Sequence, residues 1–185
     1  MRAADLPVRP ARRGQAHQRG RELCNLTGFK LLHNHLLVDL VTTIFPHESD
    51  SYFRLVRQIR QDVLVEAARA TEDLVLTAVY RGTADQTAAV AEHIRPVLAS
   101  NGMVLFVQLT CERGEWLRRL QTESRRAQRK LTDPNVVLEM LAQYDLFATL
   151  PFEPTLCIDT TRRQPTDIAR EIVGKYPTLV PPSEV

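Results

Sequence analysis

A chain of 185 residues with 44% hydrophobic content is long enough for one compact domain with a sizeable core. A net charge of +2 argues against a nucleic-acid binder. Three cysteines (Cys24, Cys111 and Cys157) without C-x-x-C spacing argue against a zinc site or a disulfide framework and fit a reducing cytosol. No apolar run approaches the ~18 residues that cross a bilayer, and the amino terminus lacks a secretory apolar stretch, so a cytoplasmic protein with no membrane contact is expected.

In chain order, residues 1–20 show no helical or strand period. Pro7 and Pro10 break regular structure, and the first 21 residues carry six arginines against one acid, Asp5. An irregular basic segment is therefore expected there; the same composition also resembles a transit peptide. Orderly patterning begins at Arg21. Residues 29–33 read as a short strand, and Leu36, Leu37, Leu40, Val41 and Ile44 recur at helical spacing up to Pro46. Asp50 is the expected cap of a second helix with Tyr52, Phe53, Val56, Ile59, Val63 and Ala67 on one face. Residues 74–80 and 103–109 read as strands buried on both faces, separated by a helix over 85–100 that stops at Asn101-Gly102. Helix is expected over 112–122 and, capped by Asp133 with Pro134 at its first position, over 133–147. A strand over 156–159, a helix over 166–176 and a frayed Pro-rich tail over 177–185 complete the pattern.

Strands alternating with helices predict an α/β fold, a three-layer parallel sheet with flanking helices, over residues 21–176. Such sheets bind ligands beyond the carboxyl ends of their strands, here just after His33, Tyr80, Leu109 and Ile158. His33, Asn34, His35 and Asp39 cluster at the first of these points. A helix puts His35 and Asp39 on one face, which suits either a substrate or magnesium neighbourhood, with Asp39 accepting a hydroxyl proton, or helix capping by Asn34 with a structural His–Asp bond. Arg54 and Arg57, one turn apart, form either a two-arginine clamp for an anionic substrate, extended by Arg60, or a solvated helix face. Arg125, Arg126, Arg129 and Lys130 lie in a stretch too polar for a core. No residue set with metal-ligand spacing is visible, so no metal-binding side chains are assigned.

The runs Thr27-Gly28-Phe29-Lys30-Leu31-Leu32-His33-Asn34-His35, Leu105-Phe106-Val107-Gln108-Leu109-Thr110-Cys111, Lys130-Leu131-Thr132-Asp133 and Ile158-Asp159-Thr160-Thr161 resemble the P-loop kinases of the shikimate, gluconate and nucleotide kinase type. They are closer still to a bacterial branch labelled only as ATP-binding or AAA-family proteins. The resemblance spans residues from about Arg21 to Tyr176 and implies an ATP- and Mg2+-dependent phosphotransferase, monomeric or homodimeric, acting on a small hydroxylated, anionic molecule. It implies that Arg54, in a Phe53-Arg54 pair like that of shikimate kinases, holds a substrate carboxylate beside His33, His35 and Arg57. It also implies that Arg125 and Arg129 belong to a lid that stabilises the transferring phosphoryl group, and that Thr160, Thr161 and Pro165 form the adenine-side loop. Shikimate kinases have an acidic residue where Arg57 stands and three glycines where only Gly82 appears, which counts against shikimate itself.

The family also requires a G-x-x-x-x-G-K-[ST] loop between its first strand and first helix. Residues 12–20, R-R-G-Q-A-H-Q-R-G, retain Gly14 but hold neither lysine nor Ser/Thr, so the first strand and phosphate loop are expected to be disrupted. Back-translation from Leu6 onward, read one base later with free third positions, permits Y-L-Y-G-P-P-G-V-G-K-L-T-N-G. That string contains a strand end and a G-x-x-x-x-G-K phosphate-loop stretch with threonine two places after the lysine, which points to a shifted reading frame. A different class of function is a non-catalytic binding protein that keeps the kinase scaffold and uses the basic amino-terminal arm.

Overall fold

The computed structural model describes residues 2–7, 15–116, 118 and 142–180. Its centre is a parallel five-stranded sheet made of β1 (Arg2–Pro7), β2 (Lys30–His33), β3 (Leu74–Ala78), β4 (Met103–Thr110) and β5 (Thr155–Asp159), in the order β2-β3-β1-β4-β5. β1 pairs with β3 from Ala3↔Leu74 to Pro7↔Ala78 and with β4 from Arg2↔Met103 to Asp5↔Phe106. The expectation of an irregular segment over 1–20 with no first strand is therefore corrected. β1 is the middle strand, and helix α1 (Gln15–Thr27) runs straight through the boundary expected at residue 21. Local composition hid both elements, because β1 is ordered by hydrogen bonding on two sides and not by its own apolar pattern.

The layers follow from strand alternation. Val75 of β3 and Leu105, Val107 and Leu109 of β4 share one core with Leu23 of α1 and Ile168, Ala169 and Ile172 of α5 (Pro165–Lys175). On the opposite face, Leu74 packs with Leu64 and Ala67 of α3 (Asp50–Arg69), while Phe106 packs with Tyr80 and with Val90 and Ile94 of α4 (Ala84–Ala99). Burying each such side chain stabilises the fold by about 1.5–3 kcal/mol, enough to dock α1 although it is polar overall. The short α2 (Asn34–Thr42) packs Leu37, Val38 and Val41 onto Tyr52 and Val56 of α3.

Helix ends follow their capping chemistry. Ser49, not Asp50, caps α3, its hydroxyl accepting from the Tyr52 amide at 3.2 Å; Asp50 follows in the first turn, where it favours the positive helix end. Thr83 caps α4 through the Gln86 amide, and Pro165 opens α5. At the far end of α4, Asn101 takes a left-handed φ of 56° and the Gly102 amide returns to the Val97 carbonyl at 2.8 Å. The helix expected over 133–147 lies mostly outside the described residues. Its described part, residues 142–143, is helical, whereas Tyr144 onward is not. There Asp145 accepts from the Phe147 amide at 2.9 Å and starts a turn instead.

Candidate active site at the carboxyl edge of the sheet

All five strands are parallel, so their carboxyl ends converge on one edge. β1 leads there into residues 8–14 and then α1; β2 ends at His33, β3 leads into Tyr80-Arg81-Gly82, β4 ends at Thr110 and β5 at Asp159. The structure thus gathers the four points expected from the strand pattern and adds the end of β1.

At the end of β2, the Asn34 amide donates to Thr77 Oγ1 at 3.1 Å, and Asn34 Oδ1 accepts from Arg60 at 2.6 Å. Arg60 therefore ties α3 to the edge of β2. His33 is the cap residue of α2 but makes no side-chain cap bond, and its ring centroid lies 6.4 Å from that of His35; both rings are half-buried. Asp39 lies one turn further along α2, on its exposed side between Leu36 and Leu40.

Arg54 and Arg57 line a groove of about 330 Å³ on α3, together with Phe53, Gln58, Gln61 and Glu92. The groove is not purely cationic. Arg57 makes a 2.5 Å ion pair with Glu92 of α4, and that pair lowers the Glu92 carboxyl below its ordinary range. Arg54 is exposed on the same groove. Behind it His93, 5% exposed, places Nε2 3.4 Å from the Arg57 carbonyl; burial and then the Arg60 charge push its pKa down to about 4.

The turn after β5 is built by internal hydrogen bonds. Thr160, 2% exposed, donates its hydroxyl to the Thr110 carbonyl at 2.8 Å. Asp159 Oδ1 accepts from the Thr161 amide and hydroxyl, and Thr161 Oγ1 accepts from the Glu112 amide at 2.9 Å. These bonds join the ends of β4 and β5 and lead to Pro165. Arg125, Arg129 and Gly14 lie outside the described residues.

Sequence reasoning passed over Arg81. Its side chain, 20% exposed, lies with the guanidinium carbon 4.7 Å from the Tyr144 ring centroid and 5.7 Å from that of Phe53, and its Nη1 is 3.5 Å from Glu48 Oε1. The available signal was position, immediately after the β3 strand pattern. Tyr144 also lines a larger cavity of about 680 Å³ with Cys111, Arg113, Asp145 and Phe147. Trp116 is a core residue, packed edge-on against Phe147. Burial raises the Cys24 thiol to about 11, which makes it a packing group and not a nucleophile.

An ATP–magnesium pair needs backbone amides, a cation and a magnesium-ligating hydroxyl between the central strand and the following helix. β1 ends at Pro7 and α1 begins at Gln15, so the connecting residues are V-R-P-A-R-R-G, followed by Gln15, Ala16 and His17. They bring three arginines but no lysine, serine or threonine. The residues present therefore do not fit the group. Among the described residues, no cluster of three His, Cys, Asp or Glu side chains is placed to hold a metal, and no helix is long and apolar enough to cross a membrane.

A parallel sheet in this order, with a strand-to-helix connection leaving its middle strand, defines an α/β domain of the P-loop kinase fold. Solved structures agree. The chain is similar to the tunicamycin resistance protein of Deinococcus radiodurans (16% identity, 98% of this chain and 100% of that one, TM-score 0.62). It is also similar to a gluconokinase from Sinorhizobium meliloti (12%, 96% and 93%, 0.62) and to a shikimate kinase from Acinetobacter baumannii in complex with shikimate (19%, 96% and 93%, 0.54). No protein-family model and no curated protein matches the sequence. At these identities the likeness establishes the fold alone.

Proposed function

We propose that the scaffold is that of an ATP-dependent phosphotransferase for a small hydroxylated, anionic substrate, and that the chain as written lacks a competent phosphate loop. The observation that carries this reading is the connection between β1 and α1. It occupies the position where the fold places its phosphate loop, yet it supplies neither an ammonium group nor a hydroxyl. The gluconokinase and the shikimate kinase among the structural relatives, both named for hydroxylated acids, support the substrate class. We assign substrate contact to His33, His35 and Arg54. Arg57 contributes less to anion binding because Glu92 already engages it. The resemblance gives Asp39, Arg125 and Arg129 catalytic roles and Thr160, Thr161 and Pro165 a nucleotide role. No transfer step is assigned to these residues, since the nucleotide's own site does not fit.

Calorimetric titration of the full chain with ATP and magnesium tests the proposal. The expected result is no binding in the micromolar range; micromolar affinity would overturn it.

A further inference from the structure

We infer that Arg81 is the carboxylate anchor of the substrate face, and that the Glu48 carboxylate lies where a substrate carboxylate would bind. The inference deepens the proposed substrate class and does not depend on nucleotide chemistry.

Arg81 is held by its backbone first. Its amide donates to Gln86 Oε1 at 2.6 Å, and Gln86 Nε2 donates in turn to the Val79 carbonyl, so α4 clamps both ends of the turn. Gly82 follows with φ +71° and no space for a side chain. The guanidinium thus has a fixed origin at the carboxyl edge of β3. Tyr144 and Phe53 flank it, and aromatic neighbours orient a guanidinium without consuming the hydrogen-bonding edge of its donor fork. Among the described residues, the carboxylate in ion-pair range is Glu48, at 3.5 Å. That is well beyond the ~2.7–2.9 Å of a charge-assisted hydrogen bond, so the fork keeps capacity for a closer anion.

Glu48 has a left-handed φ of +66°, a conformation that non-glycine residues adopt rarely and that clusters at binding sites. Its side chain is 38% exposed, which leaves it room to be displaced. Placement also favours a ligand role. Phe53 lines the Arg54 groove and Tyr144 lines the larger cavity, so Arg81 stands between the two concavities. Phe53, 43% exposed, offers an apolar face on which a ring or carbon chain can lie. Glu48 itself indicates the ligand chemistry, a small organic carboxylate.

The test is NMR titration of the full chain with 3,4-dihydroxybenzoate, following the Arg81 Nε–Hε resonance and the dissociation constant. Saturable binding at millimolar ligand or below is expected. Arg81→Gln and the milder Arg81→Lys should each weaken it about tenfold or more, and Glu48→Gln should tighten it about threefold. No saturable binding, unchanged affinity in both Arg81 variants, or no tightening in Glu48→Gln would overturn the inference. So would equal affinity for inorganic phosphate. Loss of binding in Arg54→Gln with normal binding in the Arg81 variants would move the anchor to Arg54 and leave the proposed function standing. Micromolar ATP binding would remove the proposed function without touching Arg81.

Discussion

Substituting Gly82 isolates what the turn after β3 requires. A Cβ at this position would lie 2.8 Å from the Ala148 methyl, 3.1 Å from the Asp145 carbonyl oxygen and 3.3 Å from Asp145 Cβ. The backbone, at φ +71°, is also in the left-handed region. Gly82→Ala therefore carries two costs. The conformational one is about 1 kcal/mol. The steric one is about 1–3 kcal/mol, because a backbone oxygen and a methyl group with no freedom to rotate away must shift. Gly28 is the internal control: its φ is +77°, but nothing lies within 4 Å of its added Cβ. Gly28→Ala should cost only the conformational part, about 1 kcal/mol, and Gly82→Ala about 2–4 kcal/mol. Urea denaturation measures both, provided that the slope m is unchanged between variants. Equal losses would show that the close approach at Gly82 is relieved without cost and would refute the reasoning. In the surviving fold, Gly82→Ala should also weaken carboxylate binding, since Arg81 takes its origin from the same turn.

Two further outcomes are expected. The His93 pKa is pushed down to about 4 from 6.5, chiefly by burial, with Arg60 and Arg57 opposing its charge and Glu92 favouring it. The unfolded chain then takes up a proton that the folded chain refuses, so stability is full above about pH 6.5 and falls as pH drops toward 4, by up to about 3 kcal/mol. His93→Gln should flatten that acid limb in pH-dependent urea unfolding; an identical limb would assign it to other groups. At the gene's 5′ end, nucleotide sequencing should find a shifted open frame encoding glycine, lysine and threonine at the codons of residues 14, 15 and 17, and the absence of such a frame would end the frame argument.

The sequence made β2 to β5 legible because each is a short apolar run between turn signals, and a strand covered on both faces needs nothing else. Helix ends were legible to within a residue or so where a side-chain cap exists, although Ser49 and Asp50 compete on paper and only geometry selects the serine. The carboxyl edge followed from topology. What stood there did not. Arg57 meets Glu92 across 35 residues of chain, and Arg81 finds its aromatic neighbours on α3 and in the turn at Tyr144. Such pairings depend on helix packing angles, which a one-dimensional period does not encode. Thr160, after the last strand, donates its hydroxyl to the Thr110 carbonyl, a tie between strand ends that position alone does not reveal.

The amino-terminal residues conflict with the place that the fold gives them, and the conflicts share one boundary. β1 is hydrogen-bonded to a strand on each side, where a parallel strand normally reads as a continuous apolar run. Its neighbours do so, as L-V-L-T-A and M-V-L-F-V-Q-L-T, whereas β1 reads R-A-A-D-L-P and ends on a residue that cannot donate to the ladder. In α1, Arg19 is 3% exposed, a depth of burial that arginine seldom has. The missing lysine and hydroxyl fall between these two points. From Gly20 onward the chain suits its surroundings: a Cβ there would come within 2.7 Å of Leu31, and Leu23 is fully buried. Read one base later, the same codons permit Y-L-Y over residues 6–8, lysine at 15, threonine at 17 and glycine at 19. A segment displaced from residue 6 onward would replace Pro7 at the end of the middle strand, put glycine in place of Arg19 and supply the lysine of a phosphate loop together. A binding protein evolved away from catalysis would have had to acquire each separately.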